Sequence, residues 1–243
     1  MKILVCISHV PDTTAKIEFD GNALKTDGVQ FVIGPYDDYA LARAVELKEE
    51  HKAHVTVLHV GGGDTEPTIR KALAIGADDA IRVNADPSDA FFVAKQIAEI
   101  AKQDEYDMIL MGREASDHNG SQVHGMVAEM MGWPSITPCM TLELDGTKAK
   151  MAREIEGGKE YLECEMPFVA GCQEPIAEWK IPNMRGIMMA RRKPLKVVEP
   201  VEAEEGLEVL EYELPAPRSE CTMIEADNLD ELVRRLKEDA KAI

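Results

Sequence analysis

Met108-Ile-Leu-Met-Gly-Arg-Glu-Ala-Ser-Asp-His-Asn-Gly-Ser-Gln-Val-His-Gly-Met126 is the stretch from which the architecture can be read. Its first residues are apolar without polar alternation, as expected of a strand buried on both faces in a parallel sheet. A polar loop follows Gly112, and a helical pattern opens near Gly120. In open α/β sheets, ligands sit beyond the carboxyl ends of the strands. A helix N-terminus there offers unpaired N–H groups to an anion such as phosphate. Gly120 permits close approach of the backbone, and Ser121 and Gln122 can donate hydrogen bonds. A loop that only satisfies its own polar groups accounts for the same residues, so physics alone leaves a nucleotide site and a capped loop both open.

Similar apolar runs recur upstream, at Ile3 to Ile7, Val55 to Val60 and Ala80 to Val83. Helical stripes separate them. Leu41, Ala44, Val45 and Lys48 share a face behind Asp37 and Asp38, two favourable N-terminal residues. Ile69, Ala72, Leu73 and Ile75 form a second stripe, which Gly76 ends. Phe92, Ala94, Ile97 and Ile100 form a third, with Ser88 as its expected cap. This alternation predicts an α/β fold, a doubly wound and mostly parallel sheet.

Two hairpins are expected to interrupt it. Ala15 to Phe19 and Val29 to Ile33 flank a turn at Asp20-Gly21-Asn22. Lys150 to Ile155 and Glu160 to Met166 flank Glu156-Gly157-Gly158-Lys159. Phe168 to Cys172 is a candidate extension of the sheet. Residues 1–193 are expected to form the nucleotide-binding domain. From Pro194 to Arg218 the chain is rich in Pro and Glu and reads as an arm. A final helix follows, capped by Asp227, with Leu229, Leu232, Val233 and Leu236 along one side. Residues 194–243 are expected to pack on a partner subunit, although pattern alone equally permits docking on the chain's own domain.

A formal net charge of −18 argues against nucleic acid as a partner, because nothing would replace the counterions of the phosphates. Five scattered cysteines without Cys-x-x-Cys signal neither a zinc site nor a redox dithiol, and are expected to be reduced in a cytoplasmic setting. No apolar run reaches the length of a membrane span. His118 and His124 are six apart with no Cys cluster beside them, so no metal site is expected. Neither Gly-x-x-x-x-Gly-Lys-Ser/Thr nor a helix-opening Gly-x-Gly-x-x-Gly occurs, which argues against Walker-type nucleotidases and dinucleotide dehydrogenases. Two other loops are expected at the same sheet edge, Gly34-Pro35-Tyr36-Asp37 and Gly61-Gly62-Gly63-Asp64. The segment 179–194 carries Met184, Ile187, Met188 and Met189. Adaptable apolar side chains of this kind suit a docking surface, and a buried helix fits the pattern equally.

Several of these segments together resemble the electron-transfer flavoprotein β subunit family. The residues that carry the resemblance are Arg153-Glu154-Ile155-Glu156-Gly157-Gly158, Met166-Pro167, Met184-Arg185-Gly186-Ile187-Met188 and Ala190-Arg191-Arg192-Lys193-Pro194. Val10-Pro11-Asp12-Thr13, Thr26-Asp27-Gly28-Val29, Gly34-Pro35-Tyr36-Asp37-Asp38 and Ala72-Leu73-Ala74-Ile75-Gly76-Ala77-Asp78 extend it over essentially the whole chain. The resemblance implies an adenine-nucleotide α-hydrolase-like sheet and an electron carrier rather than an enzyme. It also implies a heterodimer with an α subunit that holds most of an FAD, a structural AMP in β, and no membrane span.

Carried over residue by residue, the AMP pocket would comprise Cys6, Gly34, Pro35, Tyr36, Asp37, Val60, and the run Gly112, Arg113, Glu114, Ala115, Ser116, Asp117, His118, Asn119, Gly120, Ser121, Gln122 and Val123. Glu154 and Tyr36 match positions facing the flavin. Met184, with Ile187 and Met188, matches the recognition loop (residues 179–190) for acyl-CoA dehydrogenase-type donors in fatty acid oxidation. The implied acceptor is a quinone-reducing flavoenzyme. Electron-bifurcating relatives carry a second FAD in place of AMP, and a stand-alone stress-type adenine-nucleotide-binding protein is a further alternative. Ser8-His9, Gly34, Asp117-His118-Asn119-Gly120-Ser121 and Trp179-Lys180-Ile181-Pro182-Asn183 depart from the usual family residues.

Overall fold

The computed structural model describes residues 1–243 except Asn22, Ser88, Glu205 and 218–220. The described residues form thirteen strands, β1 (Lys2–Cys6), β2 (His9–Pro11), β3 (Phe19–Asp20), β4 (Ala23–Leu24), β5 (Phe31–Ile33), β6 (His54–Val60), β7 (Asp79–Val83), β8 (Met108–Gly112), β9 (Ser135–Asp145), β10 (Lys148–Ile155), β11 (Gly158–Glu165), β12 (Phe168–Cys172) and β13 (Leu195–Val198). The helices are α1 (Pro35–His51), α2 (Glu66–Ile75), α3 (Ala90–Ala101), α4 (Val123–Met131), α5 (Met184–Ala190) and α6 (Leu229–Glu238). Nine strands make one sheet in the order β11-β10-β9-β12-β8-β1-β6-β7-β13. Within that sheet, among the described residues, only the pairs of β10 with β9 and β11 are antiparallel. The expected α/β, mostly parallel, doubly wound architecture is therefore present.

Strand β1 is central, with Val5 opposite Val57 of β6 on one side and Leu110 of β8 on the other. Its side chains alternate between two cores. Ile3 and Val5 pack with Leu41, Ala44, Ile69 and Leu73 of α1 and α2. Leu4 and Cys6 pack with Ala94, Ile97 and Val127 of α3 and α4. Burial on both faces explains why these strands read as unbroken apolar runs. Because the chain runs from β1 to β6 on one side and later reaches β8 on the other, the β1/β8 boundary is a topological switch point.

The first hairpin is paired differently from the expectation. Phe31–Ile33 pairs with His9–Pro11 rather than with Ala15–Phe19, and Phe19–Asp20 pairs with Ala23–Leu24 at the tip. Gly21 (φ 60°) supplies the left-handed turn that brings the two short strands together. Asn22, assigned to that turn from sequence, lies outside the described residues. The second hairpin forms as expected around Gly157 (φ 82°), and β9, not anticipated, joins it to β12.

Three helix starts differ as well. Ser88 lies outside the described residues; Asp89 caps α3 by accepting from the Phe92 N–H at 2.7 Å. The helix expected to open near Gly120 begins at Val123, with Gln122 at its N-cap. Asn228, not Asp227, precedes α6.

Clustering of contacts gives two compact units, Met1–Leu210 and Glu211–Ile243. The boundary expected at 193/194 lies inside the first unit, because β13 adds a parallel edge strand to β7. The chain beyond β13 is held to α3. The buried Gln96 amide both accepts from and donates to the backbone of Val201, at 2.8 and 2.9 Å. Asp89 accepts from the Gly206 N–H at 2.7 Å. In the second unit, α6 exposes Leu229, Leu232 and Val233 along one side, and Glu231 forms ion pairs with Arg234 and Arg235.

Candidate functional site

Three chain segments converge at the switch point: the turn after β1, the start of α1 and the loop after β8. Pro35 occupies the first turn of α1, where its missing N–H is of no consequence. This places Asp37 in the first turn, pointing inward. Its Oδ1 accepts from the Gly112 N–H at 2.7 Å. Its Oδ2 accepts from the Ser8 N–H at 2.8 Å and from the Ser8 hydroxyl at 2.5 Å. A buried carboxylate needs such donors. Burial still dominates and pushes Asp37 up to about 6, against the opposing hydrogen bonds from Ser8 and Gly112. Neighbouring Asp38 is also raised to about 6, again by burial and against Lys71.

The backbone must come very close here. A Cβ on Gly112 would lie 2.6 Å from Asp37 Oδ1 and 2.8 Å from the Asp37 nitrogen, so only glycine fits at the end of β8. Cys6 at the end of β1 is buried, and burial pushes its thiol up, with the Asp37 charge adding to the effect. Val60 ends β6 and is likewise buried.

Beyond Gly112 the loop rises to the surface. Asp117, His118, Asn119, Gly120, Ser121 and Gln122 are exposed, whereas Arg113, Glu114, Ala115 and Ser116 are half-buried. Asn119 (φ 47°) and Ser121 (φ 51°) adopt the left-handed region. Within the loop the His118 N–H donates to Asp117 Oδ1 and the Asn119 N–H to the Ala115 carbonyl, both at 2.8 Å. The Ser121 hydroxyl donates to the Arg113 carbonyl at 3.0 Å and fixes the loop's curvature. No side chain caps α4, which leaves its first N–H groups free of side-chain partners beside the loop. The uncapped start of α4 beside the loop suits a nucleotide phosphate. The open surroundings of Gly120 show that its missing Cβ relieves no clash within the chain. His118 is exposed and His124 is buried in α4. Among the described residues, no three His, Cys, Asp or Glu side chains converge as a metal site would require.

Two residues absent from the sequence-derived site belong with it. Ser8 supplies two of the three donors to Asp37. Gln173, directly after β12, accepts from Arg113 Nη1 at 2.9 Å and donates to Glu154 Oε2 at 2.9 Å. Arg113 also lies 4.8 Å over the Tyr36 ring. Tyr36, Arg113, Gln173 and Glu154 thus form one connected patch, whereas Met184, Ile187 and Met188 stand apart from it on α5. The place of Gln173 after a buried strand was the only sequence signal for it; its partners come from distant segments.

Helix α5 is short, with Asn183 capping it by accepting from the Gly186 N–H at 2.8 Å. It is 74% exposed at Met184 and 68% at Met188, with Ile187 and Met189 also exposed. Of the two possibilities left open by its periodicity, the exposed surface is the one observed. Its C-terminal end is bound to α2. Arg70 Nη1 donates to the Ala190 and Lys193 carbonyls at 3.0 and 2.8 Å, and Lys193 Nζ donates to the Leu73 and Ala77 carbonyls. A Cβ on Gly186 would collide with the Ala74 carbonyl oxygen.

No helix among the described residues is long and apolar enough to cross a membrane. The family model described as the electron transfer flavoprotein domain matches residues 22–203. The chain is 33% identical to the electron transfer flavoprotein subunit beta of Bacillus subtilis (strain 168), with 100% of both chains covered. It is 37% identical to the protein of that name from Syntrophomonas wolfei, over 93% of this chain and 90% of the relative. For the human protein of that name the identity is 32%, over 98% and 97%. With the parallel sheet, the loops gathered at its switch point and similarity along the whole chain, the protein belongs to the electron-transfer flavoprotein β subunit family.

Proposed function

We propose that this chain is the β half of a heterodimeric electron-transfer flavoprotein. In that role it holds a structural AMP at the loops around Asp37 and Gly112, and completes the site of an FAD held mostly by an α subunit. The bound FAD supplies the redox chemistry. This chain binds and orients, through Glu154 and Tyr36 on the flavin side and the loop 112–123 around the nucleotide. It contributes no general acid or base and converts no substrate of its own. Donors of the acyl-CoA dehydrogenase type dock on Met184, Ile187 and Met188, and a quinone-reducing flavoenzyme accepts the electrons.

The observation that carries this proposal is α5. A short apolar surface at Met184 and Met188 is fixed to α2 by Arg70, Lys193 and the close approach at Gly186. Flexible methionine side chains on a rigid base suit repeated, transient docking. A formal charge of −18 favours steering toward basic partner patches.

The test is release and quantification of bound ligands, by absorbance and mass spectrometry, after coexpression with the α candidate. One FAD and one AMP per heterodimer are expected. Two FADs would replace the proposal with an electron-bifurcating one, and ATP on a stable lone chain would overturn it.

A further inference from the structure

Gln173 bridges two groups that the sequence separates widely, Arg113 at the start of the nucleotide loop and Glu154 near the end of β10. Arg113 Nη1 donates to Gln173 Oε1 at 2.9 Å, and Gln173 Nε2 donates to Glu154 Oε2 at 2.9 Å. A guanidinium can only donate and an ionised carboxylate can only accept, so a single orientation of the amide satisfies both. Reversing it would set the NH2 against the guanidinium and the carbonyl oxygen against the carboxylate.

Gln173 has little freedom to move otherwise. It is buried, its N–H donates to the Cys139 carbonyl at 3.0 Å, and its carbonyl accepts from the Ile176 N–H at 3.1 Å. Arg113 is held equally closely. Its Nη2 donates to Glu114 at 2.9 Å, its guanidinium covers the Tyr36 ring, and its N–H donates to the Cys172 carbonyl at 3.0 Å. An anion arriving at the loop competes with Glu114 for Arg113, and any shift of the guanidinium reaches Glu154 through the buried amide. Hydrogen-bonded networks of this kind, in a low-dielectric setting, are the physical carriers of coupling between sites.

We propose that Gln173 is a positioning residue that couples the nucleotide loop to Glu154, so that nucleotide binding at 112–123 and the state of the Glu154 carboxylate affect one another. The proposal rests on the assignment of a nucleotide to that loop and of Glu154 to the flavin side.

Coupling between binding sites is reciprocal, so it can be read from nucleotide affinity without a flavin. Calorimetric titration of the full-length chain with AMP would be run on the wild type, Glu154→Gln, Gln173→Leu and the double variant. Glu154→Gln is expected to change the AMP Kd about fivefold or more, the lower end of typical site-to-site couplings. In the Gln173→Leu background the same change is expected to have almost no effect. Gln173→Met repeats the cycle if the leucine variant does not fold. In 15N-glutamine-labelled protein, the Gln173 side-chain NH2 signal should move on saturation with AMP. A Kd insensitive to Glu154→Gln, or equally sensitive in both backgrounds, overturns the coupling and leaves the nucleotide assignment standing. Failure of the wild type to bind AMP overturns the nucleotide assignment and the coupling with it.

Discussion

Asp37 Oδ1 accepts the Gly112 N–H at 2.7 Å, joining the first turn of α1 to the end of the β8 strand 75 residues later. The same carboxylate holds Ser8 after β1. One side chain therefore ties together the three segments that frame the switch point, and it does so while buried.

This burial sets a pH dependence. Asp37 titrates at about 6 when folded, against 3.8 for an unperturbed Asp, and Asp38 is raised similarly. The folded state thus holds more protons than the unfolded state between these values. The associated stability is fully present below the unfolded pKa and is lost as the pH rises through about 6. Urea unfolding followed from pH 4 to pH 7 should show stability falling with pH from these two groups. Asp37→Asn should reduce the slope by up to about 1.4 kcal/mol per pH unit. An unchanged slope would show that Asp37 does not titrate in this window.

Gly186→Ala places a Cβ against the Ala74 carbonyl, a backbone atom that cannot rotate away. The helix α5 must then lift from α2. A loss of about 1–3 kcal/mol is expected, as for other overpacked contacts, with AMP binding unaffected because the loop 112–123 lies elsewhere. Thermal unfolding and AMP titration together check both parts.

Met184→Ala removes the most exposed methionine of α5 without touching the core. Electron acceptance from an acyl-CoA dehydrogenase-type donor should weaken about tenfold, the size expected for one interface hot spot. The flavin absorbance spectrum of the heterodimer should not change. Unaltered donor kinetics would remove Met184 from the docking surface.

Lys193→Met deletes the ammonium that donates to the Leu73 and Ala77 carbonyls at the end of α2. Partial burial lowers the pKa of this lysine. Leaving these carbonyls without a charged donor should cost about 1–2 kcal/mol, measured by the denaturation midpoint. Lys193→Arg should recover part of it.

Much of the molecule was legible in the sequence. Apolar runs such as Val55 to Val60 and stripes such as Ile69, Ala72 and Leu73 report burial directly, because a strand covered on both faces tolerates no polar alternation. Gly76 marked a helix end and Gly157 a hairpin for equally local reasons. The loop 112–123 was placed beyond a strand end by order alone. Two of the misassignments, the partner of Phe31–Ile33 and the opening of α4 at Val123, concern choices that local pattern leaves nearly balanced. Either of two short segments can pair with Phe31–Ile33, and a loop of Asn, Gly, Ser and Gln carries no fixed start signal.

The sequence by itself therefore determined the α/β class and the family, since these follow from periodicity and motif order. Only the tertiary structure decided which strand lies beside which, that β9 and β13 extend the sheet, that Asp37 is buried against Gly112 and Ser8, and that Gln173 joins Arg113 to Glu154. These depend on contacts between residues far apart in the chain, whose free energies arise from mutual burial and exact hydrogen-bond geometry and leave no periodic trace in any one segment.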